Sequence, residues 1–317
     1  MTEGREGECM EKWGYREYRQ WILSEMRMYY PPNEGFAVYT QWIEKNNISL
    51  EALIIRHVTE QEVPVFYLKD FYGAYRGGVP LQGTAMHICR LYECRRQLRA
   101  PFGELSDFGA VKDKLRIHLV EKEGNQRYLE EGPYRILTLG AAIVTAEVLD
   151  TPDGKFCARV TEELLRGYGI SDDRLFETAM EETCRQEPAC FFPYERAGNA
   201  LGEALKEDLG AEPYLYVLTN RSGQFGAAAA LYPGVLSEAG EVLGEDFYLL
   251  PSSVHELLAI PKSEGLKPTY LRKILQEVNA ERTAPEEQLG SEVFVYQRRE
   301  ERIAPCIGKM REREENR

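Results

Sequence analysis

The chain has 317 residues, 43% of them hydrophobic and 29% charged, which is an ordinary composition for a globular protein and enough length for two domains. Its 39 basic and 52 acidic residues give a net charge of −13, and a field of that sign repels phosphate backbones and anionic lipids. The composition therefore disfavours general binding to nucleic acids or to membrane surfaces.

Neither a targeting segment nor a membrane span is recognisable. The start, MTEGREGECMEKWGY, lacks the basic, apolar and small-residue regions of a secretory signal. The longest apolar stretch, ILTLGAAIVTAEVL, is interrupted by Thr, Gly and Glu and is shorter than the ~18 residues that a membrane span needs. We therefore expect a soluble, cytoplasmic protein.

The seven cysteines are odd in number and form no C-x-x-C pair, which predicts reduced thiols without a disulfide framework. The nearest approach to a ligand cluster is His87, Cys89 and Cys94 in MHICRLYEC. On a helix these three side chains cannot converge on one ion, since Cys89 points away from the other two. We predict neither a metal site nor a cofactor.

The first predicted element is an amphipathic, aromatic-rich helix from about Glu11 to Met28, which two prolines terminate. Two strands follow, FAVYTQWIE and SLEALIIR, with an intervening turn at Asn46 and Asn47. A third short strand, VPVFYL, completes a small antiparallel sheet.

A helix is predicted next, from about Thr84 to Leu98. It ends in CRRQLR, where Arg95, Arg96 and Arg99 could form a local nucleic-acid patch. Charge runs on helices more often serve as solvated faces, so binding of nucleic acid stays the least favoured hypothesis.

A second helix is predicted over the segment that contains Phe108, Val111, Leu115 and Leu119, because these residues recur at spacings of three and four. His118 stands at the edge of this apolar stripe. We expect it to be a surface or hydrogen-bonded side chain and not a catalyst.

The pattern then changes to strands. YRILTLGAAIVTAEVL and FCARVTEELL flank the turn DTPDGK and predict a long hairpin. A helix is predicted from about Asp172 to Cys184 with Ser171 as its N-cap. The segment RQEPACFFPYERAGNALGEALKEDLGAEP is rich in proline and glycine and is interpreted as a connection.

The last third predicts the order β-β-α-β-β-α-β. Its strands include YLYVLTN, FGAAAALY and DFYLLPSS, and its helices are PGVLSEAGEVLG and LKPTYLRKILQEVNAE. YLYVL and FYLL are apolar throughout, which predicts central strands covered on both faces.

The predicted fold class is therefore α+β, with N-terminal helices and a small antiparallel sheet followed by a mixed β-β-α-β-β-α-β sheet with packed helices. We predict a helix and hairpin region over residues 1–125 and a mixed α+β domain over 126–307, with a subdivision near residue 200. The charged tail, 308–317, is expected to be disordered.

Reactive side chains are concentrated in LLPSSVHELLAIP, where Ser253, His255 and Glu256 lie together. Ala259 occupies the position at which a zincin helix requires its second histidine, and there is no G-x-S-x-G elbow. Ser253-x-x-Glu256 also matches a capping box, which is the favoured interpretation. We assign no catalytic residue, and these three side chains are only the candidates for a hydrolytic site.

Three stretches, LKDFYGAY, LTNRSGQFGAAAALYPGVLSEAGEVLGEDFYLLPSSVHELLAIP and LQEVNAERTAPEEQLGSEVFVYQR, resemble an uncharacterised bacterial family, a domain of unknown function with an LYPGVL…LPSSVHE signature. The resemblance implies a cytoplasmic protein. It carries no established activity, cofactor or catalytic residue.

Two functional hypotheses remain. The first is a non-enzymatic binding or regulatory protein that acts through a protein partner, because no reactive constellation is evident and the aromatic helix, with Trp13 and Trp21, could form an interface. The alternative is a hydrolase with its site around His255, assisted by Ser253 or Glu256.

Overall fold

The computed structural model describes residues 12–60, 64–97, 105–151, 154–196, 200–210 and 214–306. The predicted charged tail and Arg99 lie outside these ranges. Helices and antiparallel sheets make up the described chain, which confirms the α+β class. The chain divides into two compact units, Met1–Glu44 with Ser49–Ala100, and Lys45–Ile48 with Pro101–Arg317.

The first unit contains helices around a three-stranded sheet of order β1-β2-β3. Its elements are helix α1 (Tyr15–Tyr29), strands β1 (Phe36–Lys45), β2 (Ile48–His57) and β3 (Val65–Tyr67), and helices α2 (Leu68–Arg76) and α3 (Leu81–Gln97). The turn between β1 and β2 falls at the predicted asparagines, and Asn47 adopts a φ of 60°, a left-handed conformation that Asn tolerates.

Apolar residues at helical spacing on α1 form the centre of this unit. Tyr18, Ile22 and Met26 are fully buried and pack with Leu53 and Ile55 of β2 in one cluster. Alternate residues of the strand thus face the helix, as period-two patterning requires. The predicted first helix and hairpin are confirmed.

The second unit contains two further sheets. Its elements are α4 (Phe108–Val111), β4 (Leu115–Val120), α5 (Gln126–Leu129), β5 (Tyr134–Ile136), β6 (Ala141–Thr151), β7 (Gly154–Arg159), α6 (Glu162–Tyr168), α7 (Asp172–Gln186), β8 (Ala189–Pro193), α8 (Ala200–Leu209), β9 (Tyr216–Asn220), a 3₁₀ helix (Gly226–Leu231), α9 (Val235–Leu243), β10 (Phe247–Ser253), β11 (Glu256–Pro261), α10 (Pro268–Glu281), β12 (Phe294–Gln297) and β13 (Arg302–Pro305). Ser171 caps α7 as predicted, because its hydroxyl accepts from the backbone N–H of Arg174.

The second sheet pairs β4, β5 and β7 with the long strand β6, and every pair described is antiparallel. The single helix predicted through Leu119 is wrong. The chain forms only the short α4 and a 3₁₀ turn, Lys112–Lys114, before β4 begins. All six residues of β4 are buried, so the apolar spacing came from alternation along a strand and not from a helical stripe.

The third sheet has the order β13-β12-β10-β11-β9-β8. Both faces of its central strands are covered, as predicted: Leu218 and Leu249 pack in one hydrophobic cluster, and Val217 and Leu250 pack in another. The described pairs are all antiparallel, where a mixed sheet was expected.

Two further predictions in the last part of the chain are wrong. FGAAAALY is not a strand, because Gly226–Leu231 forms a 3₁₀ helix whose alanines are buried in the core. The proline- and glycine-rich connection contains structure of its own, since β8 pairs with β9 and α8 packs its leucines into a core cluster.

In the ranges given above, no helix has the length and apolar character that crossing a lipid bilayer demands.

Candidate functional site

His255 lies in the tight turn of the β10–β11 hairpin. Ser253 pairs with Glu256 across the two strands, and the Ser253 hydroxyl accepts a hydrogen bond from the backbone N–H of His255 at 3.1 Å. The capping-box interpretation is wrong, because the segment makes a hairpin turn and not a helical turn. Ser253 stabilises that turn from the strand side.

The imidazole of His255 contacts one backbone N–H and one carboxylate. Its Nδ1 accepts from the backbone N–H of Phe225 at 3.0 Å, and its Nε2 lies 3.7 Å from a carboxylate oxygen of Glu287. The backbone carbonyl of His255 accepts from the Thr219 hydroxyl at 2.8 Å. Because Nδ1 already accepts a hydrogen bond, its lone pair is not available to take a proton from a nucleophile. The contacts of His255 therefore serve to position the loop that carries Phe225.

Phe225 is the residue that this histidine holds. Its φ of 53° is left-handed, a conformation that costs a bulky residue energy and persists only where the surroundings enforce it. Gly226 follows, and a Cβ at that position would lie 2.6 Å from both the Asn220 nitrogen and the His255 carbonyl oxygen. Only glycine therefore lets the chain pass between β9 and the hairpin turn.

Phe225 also lines a small pocket, which we call the polar pocket. Most of its lining side chains are polar or charged. They are Arg116, Ile117, His118, Glu147, Cys157, Thr183, Glu187, Asn220, Ser222, Gln224 and Phe225.

His118 projects from β4 and stacks on Phe225, with ring centroids 3.9 Å apart and planes 6° from parallel. Burial, together with the smaller effects of the charges of Arg116 and His255, lowers the pKa of His118 to about 3. The imidazole is therefore neutral at physiological pH. Of the two expected environments, the surface position is wrong, because only 7% of the residue is exposed. The hydrogen-bonded one is found, since Nε2 lies 3.5 Å from the Thr145 hydroxyl.

Arg116 precedes His118 by two residues on β4 and so shares its face of the sheet. One guanidinium nitrogen donates to Glu147 at 2.7 Å, and another donates to the carbonyls of Asp113 and Leu115. With 6% exposure, Arg116 is a buried charge that its ion pair and carbonyl contacts compensate.

The opposite wall comes from the end of α7 and the loop after β9. Glu187 is 8% exposed, and one of its carboxylate oxygens accepts from the backbone N–H of Ser222 at 3.2 Å. The Ser222 hydroxyl donates to Asn220, whose amide donates to the Gln224 carbonyl at 2.8 Å. These bonds fix the loop against the carboxylate.

The first unit offers a different kind of surface. Strand β1 forms one edge of its sheet, and Trp42 on this strand is 61% exposed. Arg19 of α1 donates to the Thr40 hydroxyl at 2.6 Å, and Arg27 donates to the Val38 carbonyl at 3.2 Å. We call Trp42 with Arg16, Arg19 and Arg27 the β1 edge surface.

The tryptophans proposed from sequence behave differently. Trp13 and Trp21 contact each other edge to face with centroids 6.5 Å apart, and the backbone N–H of Trp13 donates to the Tyr75 hydroxyl at 2.8 Å. Trp13 is 40% exposed and Trp21 is partly buried. Much of their surface is used in packing within the unit.

The remaining candidates are dispersed. Arg96 forms an ion pair with Glu60 at 3.1 Å, and Arg99 belongs to the part of the chain not described. Among the described residues, no group of three or more histidine, cysteine or acidic side chains is arranged to hold a metal ion.

The chain belongs to the family of unknown function DUF5688, whose family model matches residues 15–298. This confirms the expected membership in an uncharacterised family. No curated protein and no solved structure shows significant similarity to the chain.

The polar pocket was missed because its residues come from five separate segments. The one usable signal was LRIHLV, where an arginine and a histidine alternate with apolar residues. That pattern places both polar side chains on one face only if the segment is a strand, and it was interpreted as a helix.

Proposed function

We propose that this chain is a non-enzymatic, cytoplasmic binding protein, and that a protein partner docks on the β1 edge surface by adding an extended acidic segment to β1. The observation that carries the proposal is the ten-residue edge strand β1 with an exposed tryptophan. An exposed edge is a template for pairing with another chain, and tryptophan is enriched at binding hot spots.

The other sheet edges differ from β1. The edge strands of the third sheet, β8 and β13, each end in a proline, which cannot donate to an added strand. At the edge strand β4, the Thr183 hydroxyl of α7 accepts from the Ile117 N–H at 2.9 Å. Strand β1 contains no proline along FAVYTQWIEK, so it is better suited than these edges to accept a strand.

Charge selects the kind of partner. Arg19 and Arg27 contact β1 from α1, and Arg16 lies one turn before Arg19 and is exposed. Trp42 lies two residues beyond Thr40, on the same face of the strand. Arg19 already forms an ion pair with Glu51, so Arg16 and Arg27 are the arginines that favour an acidic segment, although the whole chain carries a net charge of −13.

The hydrolase alternative has less support. His255 has a polar atom within 3.0 Å, but that atom is the backbone nitrogen of Phe225, which donates to the imidazole. The Ser253 hydroxyl is engaged with the backbone of the turn. Neither side chain is placed to activate the other.

The test is affinity capture from the cytoplasm of the source cell with three forms of the protein. The wild type and Met28→Ala are expected to recover the same partner, and Trp42→Ala is expected to lose it. Met28 is a matched control because it is 69% exposed on α1, on the side of the helix opposite Arg19. Arg16→Glu is expected to weaken capture, and added salt to weaken it further.

Thermal unfolding checks that each variant is folded. Recovery of the same proteins by Trp42→Ala, or of none by the wild type, would overturn the proposal. A dimer of the wild type that Trp42→Ala dissociates would assign the edge to a second copy of the chain, which also contradicts it.

A further inference from the structure

A larger cavity in the second unit lies between the start of α9 and the hairpin of β12 and β13, and we call it the hairpin cleft. Its volume of about 380 Å³ falls within the range of small-molecule sites. The buried side chains of Tyr232 and Leu236 and the half-buried Ile303 form the apolar part of its lining. The lining also includes one carboxylate and one guanidinium, and such a mixture of apolar and charged groups is typical of ligand sites.

The carboxylate is that of Glu301, which occupies a turn position that favours glycine. Its φ of 47° is left-handed, and this conformation costs energy in a residue that has a Cβ. The Ser237 hydroxyl donates to one of its oxygens at 3.4 Å, a long and therefore weak hydrogen bond. A carboxylate accepts several such bonds, so Glu301 keeps acceptor capacity for a stronger, charged donor.

The hydroxyl of Tyr296 is a second acceptor at the same place. Tyr296 is only 3% exposed. Burial raises its pKa, the charge of Glu301 raises it too, and the Ser237 hydroxyl lowers it, so the phenol stays protonated at neutral pH. A phenol has one donor and also acceptor lone pairs, and one neighbouring hydroxyl does not use them all. Since all three residues line the hairpin cleft, one N–H-bearing cation would satisfy both acceptors.

Donors lie on the other side of Ser237. The first N–H groups of a helix have no partner within it and attract carboxylates, and the N-cap of α9 is Gly234, which has no side chain to accept from them. Arg302 uses Nε and Nη2 for its contacts with Gln297 and Glu300 in the described chain, which leaves Nη1 for a further acceptor. This end of the cleft therefore suits a carboxylate.

Ser237 fixes the distance between the two ends. Its hydroxyl contacts Glu301, whereas its backbone N–H belongs to the first turn of α9. The acceptors and the donors are thus separated by little more than one serine side chain. The ammonium and carboxylate groups of an α-amino acid, which share one carbon atom, have a comparable separation.

We propose that the hairpin cleft binds a free α-amino acid with an apolar side chain. Glu301 and the Tyr296 hydroxyl accept from its ammonium group, and the start of α9 and Arg302 donate to its carboxylate. Its side chain packs on Tyr232 and Leu236. The cleft lies in a different unit from the β1 edge surface, and the inference is independent of the proposed function.

Isothermal titration calorimetry on the full chain tests the cleft with L-leucine as the probe. Leucinamide keeps the ammonium group and the side chain but has no carboxylate, and N-acetylleucine keeps the carboxylate but has no ammonium group. L-leucine is expected to bind, and each analogue to bind at least about tenfold more weakly. Glycine, which has no side chain to cover the apolar lining, is also expected to bind more weakly.

Glu301→Gly separates binding from stability, because it removes the carboxylate and suits the left-handed backbone. We expect its affinity for L-leucine to fall about tenfold or more without a fall in the midpoint of thermal unfolding. Tyr296→Phe removes only the hydroxyl and is also expected to weaken binding. Glu238→Gln is the control: it removes a charge from an exposed position in the first turn of α9, at the carboxylate end, and is expected to keep or raise the affinity.

Four results would overturn the inference: no binding of L-leucine by folded wild-type protein, equal binding of L-leucine and either analogue, wild-type affinity in Glu301→Gly, or equal losses in Glu301→Gly and Glu238→Gln. Loss of partner capture by Trp42→Ala has no bearing on any of them, so the two proposals fail separately.

Discussion

His118 is a basic side chain that the fold keeps uncharged. Its ring is covered by Phe225 on one side and lies close enough to Arg116 and His255 for their charges to oppose protonation. The unfolded chain places no such restriction on it. Protonation therefore favours the unfolded state, and acid will destabilise the protein partly through this residue.

The sign follows from the two pKa values, 6.5 unperturbed and about 3 in the folded chain. Between them the unfolded state binds more protons, so the free energy of unfolding falls by about 1.4 kcal/mol for each unit of acidification. His118→Gln should show a shallower loss between pH 6.5 and 5 in urea unfolding. His87→Gln, at an exposed site on α3, should follow the wild type, and identical slopes for all three proteins would contradict the prediction.

Gly226 is the second residue whose role is set by its surroundings. Gly226→Ala places a methyl group against Thr219, Asn220 and His255, and we expect a loss of about 1–3 kcal/mol in the free energy of unfolding. Gly167→Ala is the control, because a Cβ there meets nothing within 4 Å and alanine favours the helix α6. Chemical denaturation measures the free energy of unfolding of both variants. Equal stability would contradict the prediction, because it would mean that the residues around Gly226 move to accommodate the methyl group.

At the scale of elements, the sequence predicted what local patterns determine. The hairpin of β1 and β2, the helix α7 with its Ser171 cap, and the helix α10 each carry their own signal in turn residues, capping residues or apolar period, and each is found.

The failures occur where distant contacts decide the structure. Leu115 and Leu119 fit a helical spacing, but pairing with β6 makes the segment a strand. The alanines after Phe225 form a 3₁₀ helix because the His255 turn and Gly226 hold the chain there. The polar pocket depends on these same contacts, so the sequence located His255 and missed His118, Arg116 and Glu187.

At the scale of the whole molecule, the second unit includes residues Lys45–Ile48 from the first third of the chain. Within that unit Asn46 is 6% exposed. Its amide donates to the carbonyls of Glu286 and Gln288 at 3.0 and 2.8 Å, and its oxygen accepts from the Glu121 N–H at 3.0 Å. One side chain thus satisfies three backbone groups.

Asn46→Ala removes these partners together. We expect a loss of about 1–3 kcal/mol in the free energy of unfolding, because the backbone groups remain buried or must find water. Gln41→Ala, at an exposed position on β1, is the control and should change stability by less than about 0.5 kcal/mol. If Asn46→Ala unfolds at the same denaturant concentration as the wild type, these hydrogen bonds add nothing to stability.

The second unit is formed by two separate stretches of the chain, which has a consequence for recombination between related genes. A single crossover between two genes, placed at residue 100, would deliver Pro101–Arg317 without the four residues Lys45–Ile48 that belong with them. Such a recombinant would take positions 45–48 from the other gene, and it would keep the three backbone contacts only where that gene also encodes asparagine at position 46. The two parts of the second unit are therefore expected to be inherited together, and the single family match over residues 15–298 spans both units.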